Sequence, residues 1–247
     1  MNNFQNIPNL NNMQNFEYYH GTSTVFLNSI KRTGLGGINP NIEYKTLDLL
    51  KFLAIEAKKN IPDNLYYRNN HTSINAMANQ QPVILETPSG RKQKFHYRHD
   101  NIFIALSLQR AVVYATINKY GSEILQTCIN LYQELTVSNP EFTIPKELNA
   151  ISIEQLTKLE PEPIIIKISN IKDEDLAKED GKTAKEALDL LRFTIIPLLS
   201  DKELFEFIQD CNFELLKPVS VENLQFFKVK TQGHPKDKNF KFNLVEF

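Results

Sequence analysis

The chain of 247 residues has no tryptophan, three methionines and two cysteines. Cys128 and Cys211 are too few for a disulfide scaffold or a cysteine-rich zinc module. They suit a reducing compartment, or any compartment if both are core. Long apolar runs are missing: residues 193–199 form one of the longest, it contains a threonine, and it falls far short of a membrane-spanning helix. No charge of one sign prevails, since 28 Lys+Arg face 29 Asp+Glu for a net charge of -1. Binding driven by phosphate neutralisation calls for a basic protein, so a nucleic-acid partner of that kind is disfavoured, a local basic patch aside. Residues 1–15 hold seven asparagines and no charged side chain, without the basic start and apolar middle of a secretory signal. They read as a disordered Asn-rich tail, with order beginning at Phe16. The 26 asparagines and absent tryptophan fit an AT-rich bacterial genome.

What is present is enough for a core: 41% of residues are hydrophobic and 10% aromatic, in a length that suits one large domain. Residues 16–20 (FEYYH) read as an aromatic strand. Thr22 or Ser23 caps a helix to Ile30, which stops at Gly34, Gly36 and Gly37. A second helix spans 46–59, with Leu47, Leu50, Leu53, Ala54 and Ala57 on one face. The polar stretch 60–79 reads as a long loop, and 82–97 as a hairpin about Pro88-Ser89-Gly90. Residues 101–105 form a buried strand, 108–119 a helix, and a further helix carries Leu125, Cys128, Ile129, Tyr132 and Leu135. Residues 140–159 read as irregular with short helical pieces, 163–169 as the clearest strand, and 173–180 as an acidic turn. Helices over 183–191, extending toward 196, and over 201–209 flank Pro197. Strands follow at 212–216, 224–229 and 240–247. Helices dominate the middle and strands flank them, so the class is α+β, without βαβ alternation.

Most chemical motifs are missing. Gly34-Leu35-Gly36-Gly37 is not G-x-G-x-x-G and follows a helix, which disfavours a Rossmann site. No P-loop occurs. His71, His96, His99 and His234 lack H-E-x-x-H spacing or cysteine partners, so no metal site is predicted. The run His96-Tyr97-Arg98-His99-Asp100 reads as an exposed loop or as a wall of a ligand cleft. Five lysines at 228, 230, 236, 238 and 241, with Asp237 as the one acid, read as a solvated face or as a contact for an acidic partner.

Three local patterns remain. In Tyr18-Tyr19-His20-Gly21-Thr22-Ser23, a histidine ends a strand beside a glycine whose missing Cβ lets a ligand reach the main chain, where N–H and C=O can bond a flat amide. The alternative is a core histidine before a helix cap. In residues 102–115, Ser107 is a natural N-cap, Ala111 and Ala115 give a close-packing face, and Tyr114 is either a site aromatic or a half-buried core one. In residues 211–224, Glu214 points opposite Phe213 and Leu215. If those two face the core, it projects outward as an ordinary strand glutamate. Glu222 reads as a turn residue.

Taken together, the patterns resemble the ADP-ribosyltransferase superfamily, in its diphtheria toxin and poly(ADP-ribose) polymerase (His-Tyr-Glu) branch. Tyr19-His20-Gly21-Thr22 with its helix and Gly34-Leu35 resembles that branch's first motif. The strand, Ser107, and the helix carrying Tyr114 resemble the second, and Glu214 stands where the third has a strand glutamate. No Arg…Ser-Thr-Ser…Glu-x-Glu series occurs, so the cholera-toxin-like branch is disfavoured. The resemblance implies a split mixed or antiparallel β-sheet core with helices packed outside: one domain over 16–247, with residues 40–98 an insertion over the site. It implies that His20 bonds a ribose hydroxyl of NAD, that Gly21, Thr22 and Ser107 line the site, and that Tyr114 stacks on nicotinamide, sandwiched with Tyr120 or another aromatic. Glu214, or failing it Glu222, would bond the ribose 2′-hydroxyl and stabilise the positive charge that develops as the glycosidic bond breaks. The implied activity is NAD-dependent mono-ADP-ribosylation of a protein acceptor by a bacterial toxin or effector, in the bacterial cytoplasm or delivered to a host cytoplasm, with no metal and no membrane. Rival expectations are a nucleic-acid-directed transferase on the same fold, by ADP-ribosylation or RNA 2′-phosphotransfer, and a non-catalytic NAD- or partner-binding module.

Overall fold

The computed structural model describes residues 16–86, 92–95, 101–237 and 239–247. The expected tail at 1–15, the Pro88-Ser89-Gly90 turn and the His96–Asp100 run lie outside the described residues. In chain order the elements begin with β1 (Tyr18–Ser23), α1 (Thr24–Thr33), α2 (Pro40–Glu43), α3 (Thr46–Asn60), α4 (Leu65–Ala78), β2 (Val83–Glu86) and β3 (Lys92–Phe95). Next come β4 (Phe103–Ala105), α5 (Leu108–Ile117), α6 (Glu123–Ser138), α7 (Ile153–Leu156), β5 (Pro163–Ile168) and β6 (Leu176–Lys178). The chain ends with α8 (Lys185–Leu190), α9 (Asp201–Ile208), β7 (Asn212–Leu215), β8 (Leu224–Gln232) and β9 (Lys241–Glu246). The class is α+β.

Two compact units divide these elements. One comprises Met1–Ile38, Asn101–Gly121 and Pro161–Phe247, the other Asn39–Asp100 and Ser122–Glu160. The second unit therefore takes in 122–160 as well as the 40–98 stretch expected as an insertion. Its core explains why. Leu49, Leu50 and Leu53 of α3 and Leu125, Ile129 and Leu131 of α6 are all buried, and the two helices pack on each other. Helix α4 joins them, where sequence reading expected a loop. Its asparagines hid it: Asn64 is the N-cap, its Oδ1 accepting from the Tyr67 N–H at 3.1 Å. Tyr67, Ile74 and Met77 are buried at helical spacing on an otherwise polar segment. Strands β2 and β3 pair antiparallel.

The first unit is built on a seven-stranded sheet, ordered β6-β7-β4-β1-β5-β8-β9. Every pairing described in it is antiparallel. Ile164, Ile165, Ile166 and Ile168 of β5 are all buried, as a central strand covered on both faces requires. Strand β6 corrects the acidic turn expected at 173–180. Asp173–Asp175 forms a 3₁₀ turn, and Leu176 and Ala177, both buried, pair with β7 at the sheet edge. Helix α8 is shorter than expected. It passes into a π-helical turn at Leu191–Ile195 and a 3₁₀ turn holding Pro197, a residue that cannot donate to a helical ladder. The π turn directs Arg192 inward, where Nη1 and Nη2 both bond the Asp173 carboxylate and the guanidinium lies over the Phe16 ring at 4.6 Å.

Candidate functional site

All the residues singled out as a candidate site fall in the first unit. They sit on β1, β7 and α5, at the N-cap of α5, on the short segment after it and in the turn before β8. Strand register fixes which faces they use, because directly opposed residues share a face and neighbours along a strand alternate. Tyr19 opposes Ala105, Phe103 opposes Glu214, and Glu214 opposes Ala177. Tyr19, Gly21, Phe103 and Glu214 therefore belong to one face. His20, Ile104 and Phe213 belong to the other.

Helix α5 covers the Gly21 face. Tyr19, Ala111, Val112, Ala115, Ile165 and Val229 form one buried cluster there. A Cβ on Gly21 would lie 2.1 Å from the Ala111 carbonyl oxygen and 3.1 Å from the Ala115 nitrogen. Glycine here lets the helix backbone sit against β1, so the space its missing Cβ leaves, expected from sequence to admit a ligand, is taken by α5. Ser107 caps the helix, its Oγ accepting from the Arg110 N–H at 3.1 Å and donating to Gln209 Oε1 at 2.9 Å. Tyr114 follows within a turn of the Gly21 contact and is half-buried.

Between β1 and β4 the ladder nearly stops. Strand β1 is paired with β5 at six successive positions, but with β4 only at Tyr19↔Ala105. Hydrogen-bond parity shows what faces this seam. The Thr24 N–H donates to the Glu162 carbonyl across β1 and β5, so even-numbered positions of β1 direct their main-chain groups to β5 and odd ones to β4. Pro163, with no N–H to give, accordingly stands opposite Ser23. On β4, Leu106 donates to Cys211 and Ile102 accepts from Leu215, so Phe103 directs its carbonyl toward β1. The N–H and C=O of Gly21 thus point into the seam just past the last pair.

The His20 ring turns into the same seam. Its Nδ1 is 2.8 Å from the Phe103 carbonyl oxygen. A carbonyl only accepts, so Nδ1 carries the proton and the neutral ring keeps its lone pair on Nε2. Burial lowers the His20 pKa, partly opposed by that carbonyl bond, which favours the neutral form at pH 7.

Glu214 is 2% exposed, contrary to the outward, solvated position its flanking apolar residues suggested. Phe213 and Leu215 are buried too, because β7 lies between β4 and β6 and both its faces are covered. The Asn101 amide nitrogen donates to Glu214 Oε1. Glu222 lies in a 3₁₀ turn, Val221–Asn223, before β8. Thr22 is buried and donates to the Gly121 carbonyl at 3.0 Å. Tyr120 is 4% exposed, with the Lys119 ammonium 5.8 Å from its ring centre.

The structure thus brings His20, Gly21 and Phe103 together at one seam and seats Glu214 beside Phe103 on the adjoining strand. It directs the His20 and Glu214 side chains toward opposite sheet faces. Sequence reading named neither Phe103 nor Asn101 as site residues, and the only available signal was the aromatic ring at the head of the β4 pattern. Among the described residues no group of three or more His, Cys, Asp or Glu is placed to hold a metal ion, and no helix is long and apolar enough to cross a membrane. The chain matches no protein-family model, no curated protein and no solved structure.

Proposed function

We propose that the β1–β4 seam binds NAD and that the protein transfers ADP-ribose from it to a macromolecular acceptor, a protein in the first instance. The reading is carried by one observation. Past Tyr19↔Ala105 the ladder stops, and there the His20 ring and the Gly21 main chain face the same unpaired stretch of the seam. A carboxamide presents one donor side and one acceptor side, which matches the N–H and C=O of a single strand residue. Nicotinamide would lie against Gly21, with Tyr114 on one side. Phe103 is the second aromatic wall, better placed than Tyr120 because it heads the strand paired with Glu214. His20 Nε2 would accept from a ribose hydroxyl.

The reaction breaks the bond between the nicotinamide nitrogen and the ribose. The electron pair leaves with the neutral ring, and positive charge develops on the sugar. A carboxylate held in a site shielded from water stabilises that charge more in the transition state than in the ground state, where the positive charge is still spread over the pyridinium ring. Glu214 supplies it. The acceptor then attacks the same carbon. The fold this requires is a sheet split between β1 and β4, like the split core of the resembled transferases.

The test is nicotinamide release from NAD. Wild type is expected to release it, and Glu214→Gln to lower the rate by about 10²-fold or more. The melting temperature should be unchanged, since glutamine can still accept from Asn101. Equal turnover in the folded variant rejects the role of Glu214. NAD that raises the melting temperature of wild type without being consumed favours the binding-module reading instead.

A further inference from the structure

We propose that Asn101 is a positioning residue for Glu214, acting through the bond its amide nitrogen donates to Oε1. The inference rests on the transferase reading above and concerns how that carboxylate is held. A glutamate at 2% exposure needs hydrogen bonds to offset the loss of water. An amide holds the oxygen in place and adds no net charge.

The placement fits a clamp rather than a filler. Asn101 stands two residues before Phe103 on the approach to β4, and Phe103 directly opposes Glu214, so the donor and the opposed strand pair move as one piece. Asn101 is itself exposed, while the group it holds is buried. Its side chain therefore contributes little to the core, and its loss acts on the carboxylate before it acts on the fold.

Asn101→Leu keeps the number and branching of side-chain heavy atoms and removes the donor, whereas Asn101→Ala removes both. Both are measured by nicotinamide release, with kcat and KM for NAD determined separately and melting temperatures recorded. A misplaced catalytic group costs rate rather than binding. The expected result is a fall in kcat of about ten- to a hundredfold in both variants, with KM held and the melting temperature lowered by a few degrees, as loss of a donor to a buried carboxylate requires. Adding Asn101→Leu to Glu214→Gln should then lower the rate no further, because the clamp acts only through the carboxylate. An active wild type whose Asn101→Leu variant keeps its kcat overturns the positioning role alone. So does a loss seen in the alanine variant but not the leucine one, which would trace to bulk. A wild type that releases no nicotinamide overturns the reaction, and this role with it.

Discussion

The contact between Gly21 and α5 allows a test that separates packing from ligand access. In Gly21→Ala the new methyl would sit 2.1 Å from the Ala111 carbonyl oxygen, 3.0 Å from its carbon and 3.1 Å from the Ala115 nitrogen. All three are main-chain atoms of a helix, so no side chain can rotate away. Relief requires α5 to lift from β1 by about 1 Å, which loosens the dispersion contacts of the well-packed Tyr19, Val112, Ala115 and Ile165 cluster. Overpacking of a core typically costs about 1–3 kcal/mol, and a clash confined to backbone belongs at the upper end. About 3 kcal/mol in a domain of this size lowers the melting temperature by about 6–12 °C. Thermal melts with and without NAD read both effects. The expected variant is destabilised even in the absence of NAD. An unchanged melting temperature, with or without loss of NAD binding, refutes the packing argument and returns Gly21 to a purely ligand-facing role.

Two further outcomes follow from buried and half-buried polar groups. Asp173→Ala leaves the Arg192 guanidinium without the carboxylate that both its Nη atoms bond, in a pair whose side chains are 10% and 17% exposed; with Asp189 still 3.5 Å from Nη1, the loss should be about 1–3 kcal/mol by chemical denaturation, and one below about 1 kcal/mol would show the pair to be dispensable. His20 has a folded-state pKa below its ordinary value, so as pH falls through about 6.5 the unfolded chain takes up a proton that the folded one refuses. Stability tied to His20 is then full above that pH and declines below it. Between pH 7.5 and 5.5 wild type should lose more melting temperature than His20→Gln, and parallel losses would refute the assignment.

Wherever a local rule governed a segment, the elements were legible in the chain. Ser107 announced the start of α5 through its capping oxygen, the glycine at 34 marked the end of α1, and the isoleucines at 164–166 declared a strand buried on both faces. Helix α4 and strand β6 were not legible. The first carries asparagines that favour turns in isolation, and the second is three residues long and acquires its conformation only by pairing with β7. The candidate site divides in the same way. His20, Gly21 and Tyr114 stood out as residue types in a short pattern, but Phe103 and Asn101 did not, since nothing local distinguishes a strand phenylalanine that opposes Glu214 from any other.

Glu214 shows where local reading stops. Alternation along β7 correctly placed it on the face opposite Phe213 and Leu215. Whether that face meets water depends on what covers β4 and β6, and strand alternation carries no information about a covering layer. Gly21 makes the same point from the other side: the need for a residue without a Cβ is written in the chain, while the helix backbone that occupies the space arrives from ninety residues away. Patterns of period two and 3.6 record only how each segment turns. Which segments then lie against one another is settled by packing among parts of the polymer that share no local signal, and that packing made the seam between β1 and β4.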